Sequence, residues 1–391
     1  MRITLISVFL LFSVAVFSQN NNTKSPYTRY GYGKLADASS IAQRGMGGIG
    51  YGLRNPQLIN ALNPASYSAV DSMTFMFEAG VSGQIGWYND NGIRGVKPNA
   101  GLEYVALQLP LAKGLGVGIG LEPVSYVGYQ FIDTINNIYS GQGGLQKLSA
   151  SLAYRLDNRF SVGANVGYVY GDIIHTGVFP SNNPLLWPDS LRLKGFTYTL
   201  GMQYRHDLGK SREIVVGAVY SPKITMNSSA ISDKISNNAN AACQMPETFG
   251  LGFTYHQNHQ LTAGADAQYQ RWADAQYYGK TDTLSNRLKI NAGVEYIPNA
   301  FSNNFLGRIR YRAGAYFTDS YIIDKNGSKF NEYGVTAGFG IPLVDRRSFI
   351  NLSFEYSRIA PQKTISLQEN YFKFTLSYTF NELWFFKRKL Q

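Results

Sequence analysis

The sequence predicts an all-β protein: a transmembrane antiparallel β-barrel of about fourteen strands with an N-terminal hatch, or plug, segment. Three observations predict it. Apolar and polar residues alternate with period two in one segment after another. The connections between these segments alternate between short and long. The composition is rich in Gly (40) and Tyr (28), with only 16% charged residues among 391. A mean hydropathy of −0.19 alone would suit a soluble secreted domain. Few charges and many interfacial aromatics suit strands in lipid better.

Residues 1–18 read as a signal peptide. Arg2 supplies the positive start, Ile3 to Phe17 the apolar run, and Val16-Phe17-Ser18 a cut before Gln19. The run is too short and too early for a spanning helix. Cys243 is the only cysteine, so no lipid anchor at the cut and no intrachain disulfide is expected. Losing Arg2 leaves 36 − 1 = 35 basic against 25 acidic residues, a mature charge of +10.

Residues 19–72 show no regular alternation. They contain Arg44-Gly-Met-Gly-Gly-Ile-Gly, Leu53-Arg54-Asn55-Pro56 and Asn63-Pro64-Ala65-Ser66. Glycines permit tight turns and close approach to a wall, and Asn-Pro steps begin turns. A plug inside the barrel is the expectation, with a flexible tail as the alternative.

The barrel is expected over residues 73–381. Predicted strands are 74–88, 101–110, 114–130, 145–155, 159–172, 195–205, 213–223, 248–256, 260–272, 287–297, 306–318, 331–342, 348–358 and 370–380. The last shows the pattern best: Phe372, Phe374, Leu376, Tyr378 and Phe380 face one way, Lys373, Thr375, Ser377 and Thr379 the other. In lipid the apolar face is outside and the polar face lines the lumen. Long loops are expected near 89–100, 131–144, 173–194, 224–247, 273–286, 319–330 and 359–369, with short turns on the periplasmic side. Residues 382–391 are expected to form a periplasmic tail. Basic residues gather near the short turns, among them Lys113, Arg155, Arg346 and Arg347, either for solubility or to meet anionic lipid head groups. They ring a rim rather than forming a stripe, which argues against nucleic acid.

Signal peptide, Gly-rich N-terminal segment with Asn63-Pro64-Ala65, then about fourteen strands: this resembles the FadL/TodX family of outer-membrane hydrophobic-substrate transporters. The likeness covers the whole mature chain in architecture and is specific in motif mainly over Gly45–Ser72. It implies a hatch carrying Asn63, Pro64 and Ala65, substrate binding in the lumen, and lateral exit into the outer membrane at a kinked third strand. The expected substrate is a hydrophobic small molecule such as a long-chain fatty acid, taken up across a Gram-negative envelope. The family also holds barrels that serve protein-secretion machinery, so a non-transporting partner is the alternative. Two features depart from the pattern: the chain continues beyond Phe380, and the outer loops are modest.

Pro123 is the lateral-gate candidate, because a proline cannot donate to a ladder and marks a bulge or break. Arg308, Arg310 and Arg312 alternate with Ile309, Tyr311 and Ala313, so they are the lumen anion-binding candidates. The plainer account pairs them with lumen carboxylates such as Glu78, Asp266, Glu295 and Glu355. No catalytic residue, metal site or cofactor is predicted. His256 and His259 lack Cys or carboxylate partners nearby, and no histidine sits on a lipid-facing strand position beside a serine. The expected partners are outer-membrane lipids, a hydrophobic substrate and a secretion-machinery protein.

Overall fold

The computed structural model describes residues 23–90, 92–133, 136–179, 185–232, 242–281, 283–323, 329–361 and 367–383. The predicted signal peptide, 1–18, lies outside the described residues.

The described residues form seventeen strands in order: β1 (Lys34–Leu35), β2 (Thr74–Asp90), β3 (Ile93–Ala112), β4 (Leu115–Ile132), β5 (Ile138–Arg155), β6 (Phe160–Phe179), β7 (Leu185–Gly209), β8 (Arg212–Ser221), β9 (Ile224–Ser232), β10 (Cys243–Met245), β11 (Glu247–Gln257), β12 (Leu261–Arg271), β13 (Arg287–Tyr296), β14 (Arg310–Asp319), β15 (Phe330–Pro342), β16 (Phe349–Pro361) and β17 (Gln368–Leu383). Fourteen of them, β2 to β8 and β11 to β17, build one antiparallel barrel. Strand β8 pairs with β11, and β17 closes the ring on β2 from Gln368↔Asn89 to Leu383↔Thr74. Closure leaves most backbone polar groups paired within the wall, which a chain in hydrocarbon requires.

The alternation read from the sequence is the alternation observed. On β17, Phe372, Leu376 and Tyr378 are exposed, whereas Thr375, Ser377 and Thr379 are buried. On β13, Ile290 and Tyr296 face out while Asn291 and Glu295 face in. An outward belt of Leu, Val, Phe and Tyr around a polar interior is the reverse of a soluble core, and places this wall in lipid.

Four expectations need correction. Strands predicted at 101–110, 145–155, 159–172 and 195–205 run on to Ile93, Ile138, Phe179 and Leu185. Above the bilayer neither face meets hydrocarbon, so the alternation fades although the ladder continues. The loop predicted near 224–247 contains β9 and β10, which pair with each other, while β9 also pairs with the outer half of β7. The strand predicted from 306 begins at Arg310: Phe305–Arg308 is one helical turn, capped by the Asn304 side chain, which accepts from Leu306 N–H at 3.1 Å. Strand β17 runs to Leu383, two residues into the predicted tail, and 384–391 lie outside the described residues.

No described helix is long and apolar enough to cross a membrane, which leaves crossing by strands untouched. A closed ladder of this extent resists detergent. The folded protein is therefore expected to migrate faster unboiled than boiled on a denaturing gel. Identical mobility would contradict the closed barrel.

Candidate functional site: the filled lumen

Residues 23–70 pack against the polar inner face of the barrel wall. The segment starts at the outer rim, where the Ser25 hydroxyl donates to Glu369 at 2.8 Å and the Tyr321 hydroxyl donates to Gly33 O at 2.5 Å. Around it an apolar cluster includes Tyr27, Tyr32, Leu145, Met226, Cys243, Trp272, Tyr321 and Phe330. The segment then descends. Ser40 begins the helical turn Ile41–Arg44, its N–H donating to Gln43 Oε1 at 2.8 Å. Below it, Gly47 N–H donates to Thr336 on β15, and Tyr51 N–H to Asp266 on β12 at 2.8 Å. The chain leaves for β2 at Thr74.

Asn63, Pro64 and Ala65 lie on the opposite wall. The Asn63 side chain accepts from Ala65 N–H at 3.0 Å, capping the 3-10 turn Pro64–Ala69. Its amide donates to Tyr51 O at 2.8 Å and to Met202 O on β7 at 3.0 Å. One buried side chain thus ties two stretches of the segment to the wall.

Buried charges lock it further. Arg44 meets Glu103 on β3 at 2.6 Å, and the same carboxylate meets Lys373 on β17 at 2.6 Å. Lys34 meets Glu332 at 3.2 Å and Lys289 meets Asp37 at 2.8 Å. Burial alone would raise the Asp37 carboxyl, but Lys289 and Arg44 outweigh it and hold it well below the ordinary carboxylate range.

Pro123 sits in β4 opposite Gln146 of β5, at a register shift between Pro123 and Ser125. The β3–β4 ladder runs from Ala112↔Leu115 only to Val105↔Leu121. Beyond that point towards the outer rim, β3 continues with β2 and β4 with β5. The segment's own β1 takes up the vacated edge, pairing Lys34 with Tyr126 and Leu35 with Ser125. Ala36 N–H donates to Val124 O at 2.9 Å.

A cavity of about 300 Å³ lies between this place and the far wall. It reaches Pro123 and Val124 on one side and Trp272 and Tyr316 on the other. Its lining includes Lys34, Asp37, Arg44, Glu103, Lys147 and Glu122, the last two paired at 2.6 Å.

The three candidate arginines do not form one stack. Arg308 lies in the helical turn at the periplasmic side. Arg312 donates to Glu295 at 2.7 Å and to Asn351 at 2.9 Å. Arg310 lies 3.7 Å from Glu295, bonds the Gln57 side chain and covers the Phe349 ring. Glu295 and Gln57 occupy these guanidinium groups. Sequence reasoning missed Glu103, Lys373 and Arg287; the nearest signal was Arg44 within the Gly-rich stretch. Among the described residues no group of three His, Cys, Asp or Glu side chains could hold a metal.

A family model described as BamG matches residues 1–391. No curated protein matches the chain. Solved structures share its fold. The toluene transporter TodX of Pseudomonas putida has a TM-score of 0.61 at 16% identity, covering 90% of this chain and 100% of that one. A FadL homologue of Pseudomonas aeruginosa has a TM-score of 0.60 at 13% identity, covering 89% and 99%. The toluene transporter TbuX of Ralstonia pickettii has a TM-score of 0.58 at 15% identity, covering 88% and 98%. At such identities the likeness is one of fold, and it agrees with the FadL-like resemblance read from the sequence.

Proposed function

The chain belongs to the BamG family, whose model spans residues 1–391, and we propose that it serves as a sealed outer-membrane barrel, a partner of protein-secretion machinery rather than a conduit for hydrophobic compounds. It is a multi-pass outer-membrane barrel, and its fold is that of the FadL-like transporters. Fold alone does not carry their function.

The observation that supports the reading is the chemistry of the lumen. The cavity beside Pro123 carries five buried or half-buried ion pairs among apolar side chains such as Leu35, Val124 and Trp272, so a guest filling it lies against charge as well as hydrocarbon. An apolar molecule gains about 25 cal/mol for each Å² it hides from water only where the walls are apolar too. The periplasmic rim supports it as well. Two neighbouring turns, β13–β14 and β15–β16, expose Phe301 (85%), Leu306 (60%) and Val344 (100%) beside Arg308, Arg346 and Arg347. Clustered apolar residues on an exposed rim mark contact surfaces.

A second reading rests on the interrupted β3–β4 ladder. Under it, fatty acids or aromatic hydrocarbons leave sideways into the bilayer beside Pro123, and residues 19–72 act as a hatch fixed by Asn63. Pro123→Val would then slow uptake at unchanged folded yield.

Deletion separates the two. The first reading expects impaired release or assembly of exported proteins with normal uptake of hydrophobic compounds. Lost uptake of a fatty acid or toluene with intact secretion would overturn it in favour of the second.

A further inference from the structure

We propose that the lumen cavity contains a binding site for the oxyanion of a small hydrophilic ligand, a carboxylate or a phosphate, centred on Arg287. The proposal concerns binding and goes beyond either role above. Six cations line the cavity: Lys34, Arg44, Lys147, Arg287, Lys289 and Lys373. Five are held by carboxylates within 4.0 Å, as described. Arg287 is the exception: among the described residues no carboxylate lies within ion-pair distance of it.

Its surroundings are nevertheless built. One Nη1 donates to Gln270 Oε1 at 3.1 Å and, more weakly, to Gln268 Oε1 at 3.4 Å. Both amides are themselves oriented. Gln268 donates to the Tyr51 hydroxyl at 2.7 Å, and the Trp272 indole N–H donates to Gln270 Oε1 at 3.2 Å. The guanidinium is therefore fixed by neutral acceptors on one edge. Its other N–H groups have no protein acceptor among the described residues.

A guanidinium cannot shed its charge by losing a proton. Half-buried in the cavity without a counter-ion, its charge favours an anion beside it. The fixed fork matches two oxygens of a carboxylate or phosphate. Asp37, Glu332 and Thr318 also line the cavity, so the remainder of the ligand must carry hydrogen-bond donors for them. A cavity of about 300 Å³ holds a small metabolite or a lipid-derived head group, not a long chain in addition.

The test uses full-length protein in a non-ionic detergent and a phosphate-free buffer. Inorganic phosphate, succinate and decanoate are titrated separately by calorimetry, with the fluorescence of the cavity-lining Trp272 as a second signal. Saturable binding of phosphate or succinate is expected, weakened about ten-fold or more by Arg287→Gln and partly kept by Arg287→Lys. Tighter phosphate points to a phosphoryl group, tighter succinate to a carboxylate. Heat-dependent gel mobility shows that each variant is folded. Absence of saturable binding by the wild type, equal binding by Arg287→Gln, or binding of decanoate alone would overturn the proposal.

Discussion

Glu103→Gln is expected to free the N-terminal segment from the wall while the barrel stays closed. Glu103 is buried, and it neutralises both Arg44 of the segment and Lys373 of β17 at 2.6 Å. The amide keeps the shape and removes the charge, so two cations remain in the lumen with no compensation from that site. Breaking a buried pair in this way costs about 3–5 kcal/mol. The barrel ladder does not depend on this carboxylate, so the loss falls on the segment. Hydrogen exchange over residues 34–62 should speed up by orders of magnitude, and a protease should cut there, while the unboiled band persists. Arg44→Met, after which Glu103 keeps Lys373 as its partner, should act in the same direction and less strongly. Unchanged exchange in Glu103→Gln would mean that the ion pairs do not hold the segment.

Gly314→Val is expected to expel the same segment by volume instead of charge. Inward-facing glycines recur where the segment touches the wall. A Cβ at Gly217, Gly293 or Gly314 would come closer than 3.0 Å to the backbone of Tyr51, Met46 or Met46 and Gly47 respectively. Gly47 is itself wedged against strand backbone, since a Cβ there would come closer than 3.0 Å to Ala292 O and Ala315 O, so the segment cannot relax easily there. Overpacking of a fixed site costs about 1–3 kcal/mol, and more when the obstacle is backbone. Strand β14 tolerates valine in a ladder, so barrel yield should hold while protection of residues 45–52 falls. Val335→Thr, on the outward face of β15, serves as a control expected to leave that protection unchanged. If Gly314→Val leaves it unchanged too, the contact is not tight.

Much of the fold was legible because lipid imposes a rule at every second residue. The inward and outward faces of β12, β13, β16 and β17 follow directly from it, as does a count of about fourteen. The rule acts only within the bilayer, which is why the outer extensions of β3, β5, β6 and β7 were hidden, and β9 and β10 with them. The interior was legible only in part. Asn63 and Pro64 announced a turn, and the structure supplies the tertiary acceptors that no local pattern contains. Arg44 and Glu103 are 59 residues apart, and their meeting depends on where the segment threads. The arginines on β14 were visible as a series, yet their meaning turned on Glu295 and Gln57. Arg287 gave no signal, because its distinction is the lack of a carboxylate nearby, and that requires the positions of all the others.

The proposed role is that of a sealed barrel that works by contact. Its most direct test is the size of the native particle after mild detergent extraction from its own membrane, on a native gel. The account predicts a large assembly that contains other envelope proteins, reduced to the lone barrel by Phe301→Ser with Val344→Ser at unchanged barrel folding. A lone barrel from wild-type membranes, in cells that take up hydrophobic compounds only when the protein is present, would contradict it.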